Sequence, residues 1–295
     1  MSTLIALRLG LLVARVLPLP LLGAAAAGLW RLGGRFSPRR RVVAANLAAV
    51  AAAGGRSARP GDVFACYGRY WAELLHLGAD PRRIERLERR IRVEGGEHLE
   101  RALAKGGICF LTAHLGNWDL LSRWAARHIP SPAALAERLE PPALSAFFIA
   151  MRAAGGVATL HAEGSGLTLY RYLKQGGMLG VLADRVFGRG TDAGVGVRAV
   201  PMLGGARRLP TAGIELARRS GATLLPIFLL RERGGYVIKV LPPLAAETDP
   251  VTAFARALGT AIADDPGQWC VLYPLHDGDA PAWPAPSGRM KGAAA

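Results

Sequence analysis

Two short, mostly apolar runs constrain the fold of this chain more than any other feature. They cover residues 108–113 and 178–183, and each follows a pair of glycines, Gly106-Gly107 and Gly176-Gly177. Runs of this length and composition are typical of strands that a sheet buries on both faces. Because helical patterns alternate with them along the chain, we predict an α/β fold, a mixed β-sheet flanked by helices.

The same patterns place the remaining elements. Further strands are predicted at 91–93, 133–136, 157–160, 224–230 and 236–241. Helices are predicted at 60–77, 81–90, 97–105, 118–128, 143–154, 167–175, 211–219 and 251–263.

Charge and composition narrow the class of partner. The 295 residues include 37 Lys and Arg against 22 Asp and Glu, a net charge of +15, and 51% of residues are hydrophobic. This balance excludes a disordered chain, a collagen and a coiled-coil rod, and it predicts an anionic partner. High charge together with high hydrophobicity favours a membrane surface over nucleic acid, for which no recognition motif occurs.

The cysteines carry no metal or disulfide signature. Cys66, Cys109 and Cys270 cannot all pair with one another, and no C-x-x-C spacing occurs. We expect a reducing compartment and no metal site.

The N-terminal segment is apolar and is followed by arginines. Between residues 9 and 30 the only charged residue is Arg15. A transmembrane anchor, a helix lying in the membrane interface and a secretory signal peptide are all compatible with this stretch, as is an ordinary core helix. We predict an N-terminal hydrophobic, membrane-associated helix within an anchoring segment at 1–34, a catalytic domain at 35–279 and a loose tail at 280–295.

One motif carries chemistry. His114 comes where a predicted strand ends, and Asp119 falls in the first turn of the next helix. Two residues five apart on one helix point to different sides, but Gly116 permits a tight turn through which they can meet. His114 is then a candidate general base, and Asp119 a candidate to orient and stabilise its imidazole. The alternative is structural: His114 satisfies buried backbone groups, and Asp119 favours a helix N-terminus.

The chain lacks the other common catalytic signatures. No G-x-S-x-G, H-E-x-x-H or P-loop string occurs. A His–Asp base without a protein nucleophile predicts that the nucleophile is a hydroxyl of the substrate.

The string around His114 resembles the lysophospholipid acyltransferase superfamily, in the branch that contains the lipid A biosynthesis and phosphatidylinositol mannoside acyltransferases. Its H-x4-D/E signature is similar to residues 114–119, His-Leu-Gly-Asn-Trp-Asp. Further similar strings occur in the expected order from residue 35 to 275: RVVAANL at 41–47, AERL at 136–139, LADR at 182–185, LPT at 209–211, GATLLP at 221–226 and QW at 268–269.

The resemblance implies a glycerolipid acyltransferase-like fold and transfer from acyl-CoA or acyl carrier protein to a lipid hydroxyl, without metal or redox cofactor. His114 and Asp119 are then catalytic. The residues expected to contact substrate are Gly116, Asn117, Arg138, Asp184 and Arg185. We expect membrane lipids as partners, no nucleic acid, and a location at the cytoplasmic face of the inner membrane. A thioester hydrolase with the same site and a non-enzymatic basic membrane-binding protein are the alternatives.

Overall fold

The architecture is a sheet with helices on both faces, preceded by helical hairpins. A computed structural model describes residues 3–161, 166–186, 196–245 and 249–274. The helices are α1 Thr3–Val16, α2 Leu19–Phe36, α3 Arg39–Ala52, α4 Pro60–Ala79, α5 Ile84–Glu88, α6 Gly96–Lys105, α7 Trp118–His128, α8 Pro142–Ala153, α9 Gly166–Lys174, α10 Ala212–Ser220 and α11 Pro250–Asp264. The strands are β1 Ile91–Glu94, β2 Ile108–Thr112, β3 Pro132–Ala136, β4 Ala158–His161, β5 Met178–Leu182, β6 Val197–Met202, β7 Gly205–Pro210, β8 Thr223–Glu232 and β9 Gly235–Val240.

Seven strands form the main sheet in the order β1-β9-β8-β2-β5-β3-β4. The strands from β8 to β4 are parallel to one another, and β9 runs antiparallel to β8 with β1 parallel to β9. The predicted mixed sheet flanked by helices is therefore confirmed. A separate hairpin of β6 and β7, which the sequence patterns did not predict, turns at Leu203-Gly204, where both residues have positive φ.

The central strands are buried on both faces, which explains their apolar composition. Along β2, Cys109 and Leu111 pack into one core with α9, α10 and α11, whereas Ile108 and Phe110 pack into a second core with α6 and α7. In the register of β2 with β5, Thr112 lies beside Leu182. The two strands thus end at the same edge of the sheet, where functional side chains collect in parallel sheets.

The N-terminal segment forms two helices rather than the single apolar helix predicted. The chain turns at Leu17-Pro18, where proline has no N–H to continue α1, and Leu19 begins α2. Within the residues that the structure describes, no helix has both the length and the apolar character needed to cross a bilayer. Helix α2 packs along α4, and the predicted tail at 280–295 lies outside the described residues.

Candidate functional site: a histidine–aspartate pair at the edge of the sheet

Both backbone polar groups of His114 are hydrogen-bonded. Its N–H donates to Asp184 Oδ2 (3.0 Å), and its carbonyl accepts from the N–H of Cys270 (2.7 Å). The next residue, Leu115, bridges to Trp269. The segment that follows β2 is therefore fixed by the loop after β5 and by the C-terminal segment.

Gly116 makes the tight turn that the sequence predicted. Its φ is +68°, a conformation that favours glycine, and its N–H donates to the carbonyl of Gln268 (2.9 Å). A Cβ at this position would lie 1.8 Å from the carbonyl oxygen of Leu229. The close approach of two backbones therefore requires glycine here.

The carboxylate on His114 belongs to Asp184. Nδ1 of the imidazole lies 2.8 Å from Asp184 Oδ1, and Trp269 Nε1 donates to Oδ2 (3.2 Å). Asp184 has no exposed surface, whereas the His114 side chain is 18% exposed. Burial opposes ionisation, but the charge and hydrogen bonds of His114, with that of Trp269, hold the pKa of Asp184 below its usual range. A carboxylate at Nδ1 sets the neutral tautomer, with hydrogen on Nδ1 and a lone pair on Nε2.

Asp119 lies in the first turn of α7, as predicted, but it does not touch His114. Its Oδ2 accepts from the hydroxyl of Tyr70 (2.6 Å), and its Oδ1 lies 3.4 Å from Nε of Arg152. Burial and the Asp119 carboxylate raise the pKa of Tyr70 well above its usual range, so the hydroxyl remains a donor. The predicted pairing of Asp119 with His114 is corrected, since α7 turns the Asp119 side chain toward α4 and α8.

Asn117 and Asp184, both predicted to contact substrate, instead bond to other residues of the protein. Asn117 is buried, its Oδ1 caps α7 by accepting from the N–H of Leu120 (2.9 Å), and its Nδ2 donates to Glu73. Asp184 likewise faces His114 rather than open space. Glu73 also pairs with Arg231 and accepts from the hydroxyl of Tyr236, so the turn after His114 rests on a buried, fully bonded ionic network.

His114 opens onto a cleft of about 740 Å³. Its lining is rich in aromatic and aliphatic side chains and includes these arginines: Arg39, Arg152, Arg185, Arg207 and Arg208. Glu137 supplies an acidic side chain and binds Arg185 (Nη2 to Oε1 3.1 Å). Arg185 thus lies in the cleft, as its predicted contact with substrate requires, whereas Arg138 is exposed on the loop after β3 and is not part of this lining.

An aromatic wall fixes the imidazole from one side. The Trp118 ring meets the His114 ring edge-on, with centroids 4.9 Å apart. On its other side Trp118 stacks on Tyr70 at 4.1 Å, and Tyr70 is itself bonded to Asp119. Asp119 is therefore connected to His114 only indirectly, through Tyr70 and Trp118.

Comparison with known proteins identifies the family. The chain matches the model of the bacterial lipid A biosynthesis acyltransferases over residues 3–276. It is 32% identical over 219 residues to the phosphatidylinositol mannoside acyltransferase of Mycobacterium tuberculosis, in the CDC 1551 / Oshkosh and H37Rv strains, covering 70% of this chain and 67% of the relative. It is 30% identical over 271 residues to the enzyme of the same description from Mycolicibacterium smegmatis, covering 85% of each chain.

The chain belongs to the lipid A biosynthesis acyltransferase family. It is an acyltransferase, and the resemblance seen around residues 114–119 is confirmed. Because the chain belongs to a family of enzymes, the alternative of a non-enzymatic basic membrane-binding protein is excluded.

Two side chains of this acyltransferase's site escaped the sequence patterns. Trp269 belongs to the QW string at 268–269, which does not reveal its role, and its indole donates to Asp184. Arg207, on the unpredicted β7, donates to the carbonyl of Asp184 (Nη2, 2.9 Å) and to that of Pro274 (Nη1, 2.8 Å), and its guanidinium lies 5.5 Å from the centroid of Trp269. Across the described part of the chain, no three His, Cys, Asp or Glu side chains are grouped to hold a metal ion.

Proposed function

We propose that this acyltransferase moves a fatty acyl chain from an acyl thioester to a hydroxyl of a glycolipid, with His114 as general base. The observation that carries the proposal is the His114–Asp184 pair. The Asp184 carboxylate is fully buried and contacts Nδ1 of His114. The His114 ring, which carries Nε2, lines the cleft. Within the described residues Nε2 has no hydrogen-bond partner, so its lone pair is available to a substrate.

The chemistry needs no protein nucleophile. The acceptor hydroxyl donates to His114 Nε2, and its oxygen attacks the thioester carbonyl as the imidazole takes the proton. Asp184 stabilises the imidazolium, and the tetrahedral intermediate then expels the thiolate, which recovers the proton from Nε2. The products are an ester and a free thiol of coenzyme A or of a carrier protein.

The cleft suits substrates that combine phosphate and apolar groups. Its arginines offer charged donors for the phosphates of a donor or of a lipid head group. A smaller apolar cavity of about 80 Å³ adjoins the cleft between α7 and the sheet, and shares Trp118, Leu135 and Leu182 with its lining. We assign this cavity to a short part of the acyl chain, because its volume accommodates only a few methylene groups.

The N-terminal helices suit a membrane interface. Large apolar side chains of α1 and α2 are exposed, among them Val16 (81%) and Phe36 (78%). Exposed apolar surface of this kind marks a site of membrane or protein contact, and the arginines of both helices can bind lipid phosphates. This surface supports the proposal that α1 and α2 lie in a lipid interface. We propose the cytoplasmic face of the inner membrane because the proposed donors, acyl-CoA and acyl carrier protein, are cytoplasmic.

Vesicle binding tests this placement. A Leu12→Glu, Val16→Glu double variant is expected to lose most flotation with vesicles that contain anionic phospholipid. Leu167→Glu, at an exposed leucine of α9, is the matched control and should float like the native protein. Equal flotation of all three proteins would contradict interfacial binding through α1.

The relatives' description favours a mannosylated phosphatidylinositol as the acceptor. The decisive experiment is mass spectrometry of a detergent-solubilised reaction with palmitoyl-CoA, run in parallel with total lipid extract and with purified phosphatidylinositol mannosides. Native protein should give an acylated glycolipid, and His114→Ala should give none. Free fatty acid alone, in both lipid arms, would favour the hydrolase reading, and turnover that survives His114→Ala would contradict the mechanism.

A further inference from the structure

Two cysteines from distant parts of the chain face each other behind the catalytic pair. Cys66 lies in the second turn of α4, and Cys270 follows Trp269 in the C-terminal segment. Their sulfur atoms are 3.5 Å apart, and both side chains are buried. Cys109 is also buried, but it lies within β2 among apolar side chains of the hydrophobic core.

We propose that Cys66 and Cys270 are a thiol modification site, in which a peroxide converts the two thiols into a reversible disulfide. The Cys66 thiolate attacks one peroxide oxygen, forming a sulfenic acid and releasing water after protonation. The Cys270 sulfur then attacks the Cys66 sulfur, and the second oxygen leaves as water. Each thiol loses one proton and one electron, and the peroxide takes up the two protons and two electrons as it becomes two waters. A small thiol reductant reverses the step by thiol–disulfide exchange.

The groups around the two sulfur atoms indicate which cysteine attacks the peroxide and which forms the disulfide afterwards. Arg231 Nη1 lies 3.2 Å from Cys66 Sγ, while the other nitrogens of that guanidinium bind Glu73. The Cys270 thiol donates to Cys66, and this hydrogen bond lowers the pKa of Cys66 against the effect of burial, with help from the Arg231 charge. The same hydrogen bond and burial raise the pKa of Cys270 well above its usual range. Cys66 is therefore the attacking thiolate and Cys270 the resolving thiol.

Both sulfur-bearing residues border a cavity, so a small oxidant has a route to them. Cys66 lines a polar cleft of about 500 Å³ together with Arg231, Gln268 and Asp265. Cys270 lines the cleft that contains His114. Cys109 lines neither cleft, and burial raises its pKa to about 12, so it remains a thiol and serves as the internal control.

The modification would act on the catalytic pair through short connections. The N–H of Cys270 donates to the carbonyl of His114, and the preceding residue, Trp269, holds Asp184. A new covalent bond at Cys270 pulls this segment toward α4. Because a displacement of about 1 Å near reacting atoms can lower a rate on the order of 100-fold, we expect oxidation to reduce turnover about 10- to 100-fold. This consequence rests on the proposed function, whereas the disulfide itself does not.

The test uses the full-length protein in detergent, reduced and then freed of reductant. After titration with hydrogen peroxide, the protein is unfolded in urea so that buried thiols become accessible, the remaining thiols are alkylated with N-ethylmaleimide, and the protein is digested without reduction. We expect a peptide pair joined through Cys66 and Cys270, alkylation of Cys109, and full reversal by dithiothreitol. The matched variant Cys109→Ser should form the same crosslink, and Cys66→Ser should not.

Three results would overturn the proposal: alkylation of all three cysteines after oxidation, a crosslink that involves Cys109, or oxidised sulfur at Cys66 that dithiothreitol does not restore. Thermal melting of the reduced variants reports whether they are folded, and the crosslink in native protein requires no variant. Turnover measured on the same samples separates the two claims. A mapped disulfide with unchanged turnover would contradict the coupling to His114 only, and a protein without turnover before oxidation would contradict the proposed function only.

Discussion

Asp184→Asn is the substitution that most directly tests the proposed catalytic pair of His114 and Asp184. Three N–H donors converge on the carboxylate, from the His114 backbone, from His114 Nδ1 and from Trp269 Nε1. Asparagine has nearly the same shape but offers one acceptor oxygen and an NH2 group. With its oxygen in the Oδ2 position, the backbone of His114 and the indole stay bonded, and the NH2 group faces Nδ1.

The magnitude follows from the tautomer that this arrangement selects. Nδ1 must then accept a hydrogen bond, so the neutral ring carries its hydrogen on Nε2, the atom that takes the proton of the substrate in the proposed mechanism. A base held in the wrong tautomer loses on the order of 10³- to 10⁴-fold in kcat, or about 4 to 5.5 kcal/mol of barrier. The loss should appear in kcat with little change in KM, because Asp184 is buried away from the cleft.

The assay follows the release of coenzyme A from palmitoyl-CoA in the presence of the acceptor, with circular dichroism as the check on folding. Asp119→Asn is the matched control, since Asp119 is also buried and charged but bonds Tyr70 and Arg152. We expect it to cost less than about tenfold, about 1.4 kcal/mol. Asp184→Asn with more than a tenth of native turnover, or Asp119→Asn with the larger loss, would refute the assignment.

Three further predictions concern the same edge of the sheet. Because the pKa of Asp184 is depressed in the folded protein, the ionised carboxylate stabilises the fold above about pH 4, and this stabilisation is lost as the pH falls further. The free energy of unfolding, measured with urea from pH 6 to 3, should therefore depend less on pH in Asp184→Asn. Gly116→Ala should lose more than about 3 kcal/mol of unfolding free energy, or fail to fold, because a left-handed alanine meets the Leu229 carbonyl. Arg185→Ala should raise KM for the phosphorylated substrates while kcat changes little, as steady-state kinetics would show.

The strands of the central sheet are predictable because burial on both faces leaves an unmistakable pattern. The ranges 108–113 and 178–183 match β2 and β5 to within one residue, and α7 begins at Trp118 as its cap at Asn117 indicates. The hairpin of β6 and β7 carries a weaker signal. Its buried side chains are few, and its arginines interrupt the apolar alternation, so the pattern resembles a loop.

Helix α3 was also missed, for a related reason. Val43, Leu47 and Val50 recur at helical spacing and are buried, but arginines and alanines surround them and blur the apolar face. What makes the segment a helix is packing against α4 and α11, and a single-sequence pattern does not contain that contact.

The carboxylate that contacts His114 could not be identified from residues near it in sequence. Asp119 is near His114 in sequence, and H-x4-D spacing invites the inference that the two side chains meet. Asp184 is 70 residues away, but both His114 and Asp184 stand two residues beyond the ends of strands that were predicted correctly. Strands β2 and β5 are parallel neighbours, with Thr112 beside Leu182. Two residues further along each strand direction, His114 and Asp184 therefore lie side by side. The missing information was therefore the order of the strands, since the identity of both residues was already available.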